Sequence, residues 1–217
     1  MSQALESLRE KIQVELADIR KSVGSPTSNK ISIAGKQFRL PDGTTHQGPL
    51  YAVILDHRNL NRYYNAPYDP QSNALPECFA LSKGFADLSP QHHQNVPAPQ
   101  AAACSTCALN AFGSAQTGKG KACRNMVRLA VAASKTTIDT PPMTLEIPPS
   151  ALKSWNRHVN DLESLGMLPI HVVTEIGFDT AVPYPRPTFK AGSAHDELET
   201  FWALREKAQG ALDQPPA

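Results

Sequence analysis

KISIAGKQFRLPDGTTHQGPLYAVILD (30–56) decides the fold class. In its first part, KISIAGKQFRL (30–40), β-favouring residues are spaced by polar ones. Its last part, GPLYAVILD (48–56), is a denser apolar run. Between them PDGTT (41–45) carries the Pro-Asp-Gly chemistry of a tight reversal, so the stretch predicts two strands joined by a turn. Towards the C-terminus, MVRLAVAAS (126–134), MTLEIP (143–148), LPIHVVTEIGFD (168–179) and PTFKAG (187–192) repeat the strand signal. One helix interrupts them, SALKSWNRHVNDLESLG (150–166), with Ser150 as the expected N-cap and Gly166 as the stop. HDELETFWALREKAQG (195–210) predicts a terminal helix, and DQPPA a frayed tail.

In the other direction, Leu5, Leu8, Ile12, Leu16, Ile19 and Val23 recur at spacings of three and four. They form one apolar stripe on a helix over 1–24, closed by GSPTSN (24–29). So narrow a stripe suits pairing with a second copy of the chain, giving a homo-oligomer, or docking onto the chain's own domain.

About five or six short strands with one internal helix predict a mainly β protein with flanking helices (α+β). An OB-like barrel over 30–192 fits the order of elements, with a loop-rich insert at about 76–125 and a C-terminal helix and tail over 193–217. Another mixed α+β sheet gives the same order. The 41% apolar and 19% charged residues are those of an ordinary globular chain, and the 19 prolines favour short strands and loops. No run approaches the roughly 18 consecutive apolar residues of a membrane helix, which predicts no membrane partner. The opening MSQALESLREKIQ is charged throughout, unlike a secretory leader, which predicts a cytoplasmic, reducing setting.

In a reducing setting four cysteines point to metal before disulfides. Cys78, Cys104, Cys107 and Cys123 follow C-x25-C-x2-C-x15-C. A C-x-x-C knuckle offers two thiolates to one ion, and the outer pair completes a tetrahedral set suited to structural Zn²⁺. An iron–sulfur cluster takes the same ligands, and His92 or His93 is an alternative fourth donor.

Strung between the last two cysteines is GSAQTGKG (113–120), close to the phosphate loop G-x-x-x-x-G-K-[ST]. Gly120 stands where the magnesium-binding hydroxyl belongs, and a cysteine knuckle precedes it instead of a buried strand, so ATP hydrolysis is not expected. No Asp or Glu occurs between Leu88 and Ile138, whereas Lys119, Lys121, Arg124, Arg128 and Lys135 do. From Asp139 onward eleven acids face six bases. The basic stretch predicts either an anionic partner or packing against the acidic half. The loop glycines allow close backbone approach to phosphate, or serve only the geometry of a solvated turn. Upstream, Arg62, Tyr63, Tyr64 and Tyr68 in RYYNAPY (62–68) are candidates to stack single-stranded bases beside those cations. Phe79 and Phe112 are expected in a small core around the metal.

CSTCALNAFGSAQTGKGKAC (104–123), followed by R-x3-R-L-A-V (124–131), resembles a segment of small tailed-phage replication proteins. The arrangement is similar to phage single-stranded DNA-binding proteins with a zinc subdomain inserted in an OB fold. The specific likeness runs from Pro76 to Val131, about a quarter of the chain. It implies that Cys78, Cys104, Cys107 and Cys123 hold zinc, and that the tyrosines and basic loop face DNA in the host cytoplasm during replication or recombination. Many such proteins end in a strongly acidic tail; here ALDQPPA (211–217) has one acid. The expected activity is coating of single-stranded DNA or RNA, alongside replication proteins, without catalysis. A zinc-stabilised protein-interaction module and an iron–sulfur nucleic-acid enzyme are the alternatives.

Overall fold

The computed structural model describes residues 29–66, 75–84, 87–92, 98–116 and 118–216. The helix expected over 1–24 and Tyr68 and His93 lie outside them. In chain order the regular elements are β1 (Lys30–Ala34), β2 (Gln37–Arg39), β3 (Thr45–His46), β4 (Leu50–Tyr63), β5 (Cys78–Ser82), β6 (Arg124–Ala133), β7 (Met143–Ile147), α1 (Leu152–Glu163), β8 (Val172–Phe178), β9 (Pro187–Ala194) and α2 (Leu198–Leu212). The strands form a curled, mixed sheet shaped as a half-barrel, in the order β3-β2-β1-β7-β6-β4-β8-β9, with β5 also beside β4. β1 and β7 run parallel. Among the described residues no ladder joins β3 to β9. No helix among them is long and apolar enough to cross a membrane.

β4 is the spine of this sheet. Its apolar start was legible, but the strand continues through DHRNLNRY to a length of 14 residues. One edge pairs with β6 from Ala52 to Arg62. The other edge is shared: β8 takes Leu50 to Ala52, and β5 takes Asn59 to Tyr63. The register with β6 shifts between Ile54 and Asp56, a bulge that bends the strand into the curl.

Alternation along β4 and β6 divides the core between two faces. Ala52 and Ile54, with Val127, Leu129 and Val131, pack under α1 through Trp155. The Trp155 ring meets Phe189 edge-on at 5.5 Å. Val53 and Leu55, with Ala130 and Ala132, pack under α2 through Phe201, Leu204, Ala208 and Leu212. Each such large side chain contributes about 1.5–3 kcal/mol on burial.

The helix boundaries differ in detail from expectation. Pro149 opens a short 3-10 turn (Pro149–Ala151), so α1 begins after Ala151, and Ser150 makes no side-chain cap. Gly166 does end it: at φ 69° its N–H bonds Glu163 O at 2.8 Å, and Met167 N–H bonds Leu162 O at 3.0 Å. The tail expected to fray is docked instead. Asp213 accepts from Arg58 Nε at 2.6 Å, Arg128 Nη1 donates to Leu212 O and Gln214 O, and Pro216 is buried.

Those arginines belong to a charged band beyond the end of α2. Its centre is Glu146 on β7, where Lys30 Nζ (3.1 Å), Arg62 Nη1 (2.9 Å) and Arg128 Nη2 (2.9 Å) converge. Burial alone raises the Glu146 pKa, but the three cations outweigh it and hold the carboxyl at about 2. Because the folded value lies below the unfolded 4.5, the stabilisation is complete above pH 4.5 and is lost as pH falls through 2. We expect Glu146→Gln to destabilise the fold by about 3 kcal/mol at neutral pH, since the buried Arg128 and the partly buried Arg62 and Lys30 lose their partner. Urea melts from pH 7 downward should also find a flatter acid limb in that variant than in the wild type.

Candidate functional site

The polar end of β4 carries the site. Cys78 lies opposite Tyr63 at the start of β5, and Cys123 directly precedes β6. Cys104 and Cys107 flank a 3-10 turn, Cys104–Thr106, and a second turn, Ala108–Asn110, follows. All four cysteines line one cavity of about 10 Å³, with Asn61, Tyr63 and Phe79 on its wall. Among the described residues no three of His, Cys, Asp and Glu stand at the spacing of a formed coordination shell. The cysteines are free thiols.

Burial raises the pKa of Cys78, Cys104 and Cys123, the last to about 12. Mutual repulsion adds to this: Cys123 senses Cys104, Cys107 and Cys78 in turn. Hydrogen bonds act the other way, from the Gln100 backbone to Cys78 and from the Asn61 side chain to Cys104. With their pKa values raised, Cys78, Cys104 and Cys123 favour the protonated thiol unless a cation offsets burial and repulsion, and four sulfur donors are a set that suits a soft divalent ion. His92 is exposed and lines no part of the cavity.

Loop 107–123 is tightly bonded. Cys123 N–H donates to Leu109 O at 2.8 Å, and Ala122 N–H donates to Ser114 Oγ at 3.0 Å. Gly113 N–H reaches Gly120 O at 2.7 Å, and Gly118 N–H reaches Ala115 O at 2.7 Å. Both glycine N–H groups are thus engaged inside the loop and not offered to an anion, contrary to one expectation. Gly113 and Gly120 each have φ of 89°, a region where glycine avoids strain. The loop then enters a strand, not the helix a phosphate loop requires.

An amide chain ties the loop to the sheet. Asn125 Nδ2 donates to Asn61 Oδ1 (2.5 Å) and Asn110 Oδ1 (3.0 Å), and Lys121 Nζ donates to Asn110 Oδ1 (3.2 Å). Asn61, only 2% exposed, therefore touches both this chain and Cys104.

The expected nucleic-acid residues divide into distinct groups. Lys119 and Arg124 are exposed. Lys121 is half-buried, held by Asn110 and by the Phe112 ring at 5.1 Å. Arg128 is a correction: 4% exposed and bonded to Glu146 and the tail, it leaves no guanidinium edge for a phosphate. Here the basic and acidic halves do pack together. Arg62 is mostly buried against Glu146, with its guanidinium 5.8 Å from the Tyr64 ring centre. Its buried Nε has no partner. Tyr63 and Tyr64 are half-buried, and the Tyr63 hydroxyl donates to Asn65 Oδ1 at 3.2 Å.

The two phenylalanines part company: Phe79 is in the core at 3% exposure, whereas Phe112 is 84% exposed. Sequence reasoning missed that exposure, although Phe112 sits between Ala111 and Gly113 with no apolar periodicity around it. It also missed Lys30, which reaches Glu146 only through the parallel β1–β7 pairing.

Comparison with protein-family models, with curated proteins and with solved structures finds no match to this chain.

Arg128→Ala should lower unfolding free energy by about 3 kcal/mol or more, by stranding Glu146 and two carbonyls. Arg124→Ala should change it by no more than about 0.5 kcal/mol. Equilibrium urea denaturation of both variants separates the structural arginine from the surface one.

Proposed function

We propose that the protein binds single-stranded nucleic acid and holds its binding loop in place with one structural zinc ion. It acts by binding and not by catalysis. The supporting observation is a well-bonded loop between two cysteines of a four-thiol cavity, with exposed Lys119 and Arg124 in a stretch free of carboxylates. Cys78, Cys104, Cys107 and Cys123 are the ligands in this reading. Four thiolates fill a tetrahedral shell and leave no position for a reactive water. Zinc is the favoured ion because it takes four thiolates and needs no redox partner.

The phosphate contacts are Lys119 and Arg124, with Lys121 held nearby. Tyr63 and Tyr64 line the rim of the same sheet end. The resemblance to phage single-stranded DNA-binding proteins points the same way, towards a role in replication or recombination, and an OB-like curl of the sheet belongs to this reading. A second reading, a zinc-stabilised protein-interaction module, draws on the groove along α2 where Trp202 and Leu198 are exposed.

Elemental analysis of purified protein should find one zinc per chain. Replacing any of the four cysteines with Ser should lower both metal content and melting temperature. Iron with visible absorbance would instead assign a cluster.

Fluorescence polarisation with labelled oligo(dT) should detect binding that weakens steeply with salt. Lys119→Ala/Arg124→Ala should reduce the slope of log affinity against log salt by about 1.4, two single-strand phosphate contacts. Absence of oligonucleotide binding by the wild type at low salt sinks this reading and favours the interaction module.

A further inference from the structure

Phe112 is the most exposed large apolar side chain among the described residues, at 84%. Its position is held firmly. The loop closes on either side of it through Gly113 N–H to Gly120 O and Cys123 N–H to Leu109 O. The Lys121 ammonium lies 5.1 Å from the ring centre and is itself fixed by Asn110 Oδ1. Asn110 connects through Asn125 to the buried Asn61 of β4. The ring is therefore braced against the sheet, with a cation beside it and the rest of its surface in solvent.

The surroundings indicate what would cover it. Its sequence neighbours are Ala111, Gly113 and Ser114, too small to extend an apolar patch of the kind a protein partner buries. A Cβ built on Gly113 would meet nothing within 4 Å, so space beside the ring is open. The cations of the loop and of the start of β6, exposed Lys119 and Arg124, carry the charge that flanking phosphates require. No carboxylate occurs from Leu88 to Ile138 to repel them. A braced aromatic face rimmed by cations matches an unstacked nucleobase with its phosphates.

We propose that Phe112 is the stacking platform for a base of the bound single strand, with Lys121 bracing the ring and Lys119 and Arg124 meeting the adjacent phosphates. This rests on the nucleic-acid reading above and assigns the aromatic contact to the loop tip as well as to the tyrosines. Stacking needs a π-face, so the contact should tolerate Tyr or Trp at this position but not Leu.

The test compares wild type, Phe112→Ala, Phe112→Leu, Phe112→Tyr and Phe112→Trp on labelled oligo(dT) and on an abasic strand of equal length. The Ala and Leu variants should each bind oligo(dT) about five- to hundredfold more weakly. The Tyr variant should stay near wild type, and abasic-strand affinity should not change in any of them. The salt slope should be unaltered, because no phosphate contact is removed. Emission from Phe112→Trp should be quenched by oligo(dT) beyond any quenching in the wild type. Equal urea midpoints for all the variants, expected for an exposed side chain, exclude unfolding as the cause.

If the wild type binds oligo(dT) while the Ala and Leu variants bind as tightly and the Trp variant is not quenched, the platform is overturned and the binding reading survives. Binding of neither strand by the wild type overturns both. Unchanged oligonucleotide affinity with lost self-association in Phe112→Ala would reassign the ring to a protein contact.

Discussion

One buried carboxylate governs how the charged end of this sheet is assembled. Glu146 receives Lys30 from β1, Arg62 from β4 and Arg128 from β6, and so joins four strands at one point. In water such pairs contribute little, but the Arg128 and Glu146 side chains are only 5% and 6% exposed. The cluster is justified by what its members do besides neutralising each other. Arg128 also binds the carbonyls that α2 leaves open at its C-terminal end, so the same guanidinium fixes a strand and closes a helix. Arg58 binds Asp213 beside it. With Glu146 removed, β1, β4 and β6 would each lose a charged contact, and the guanidinium that closes α2 would lose its anchor on β7.

That cluster also explains where the sequence was readable. Apolar periodicity located β6, β7, β8, β9 and both described helices, because each buries an apolar face that repeats with its own period. It stopped short on β4. DHRNLNRY has no apolar alternation, because beside Leu60 its buried positions hold Arg58, Asn59 and Asn61. Their partners lie far along the chain, at Asp213, Lys83 and Asn125, and no local window contains them. β5 escaped for the same reason: its five residues are strand only because β4 continues far enough to pair with them. The parallel docking of β1 on β7 has no local signature at all.

In the candidate site, cysteine spacing was enough to group four residues from separated segments around one cavity. Charge counting was a poorer guide, since it treated all the cations of 119–128 alike. Exposure distinguishes them: Lys119 and Arg124 face solvent, Lys121 braces a ring and Arg128 is structural. The aromatic expectation inverted in part, with Phe112 outside and Tyr63 half-buried at the cavity wall. A short loop saturated with its own hydrogen bonds has no interior in which to bury a phenylalanine.

The docked tail has a consequence for how the chain is made. Arg58 and its partner Asp213 are separated by 155 residues. At a synthesis rate of about 5–20 residues per second, the arginine emerges roughly 8–30 s before the carboxylate that will bind it. Through that interval Arg58 has Asp56, 3.6 Å away, as its neighbour of opposite charge, and Asp213 joins only once α2 is made. A nascent chain that has not yet released Asp213 would therefore hold every described strand while Arg58 still lacks its partner beyond the end of α2.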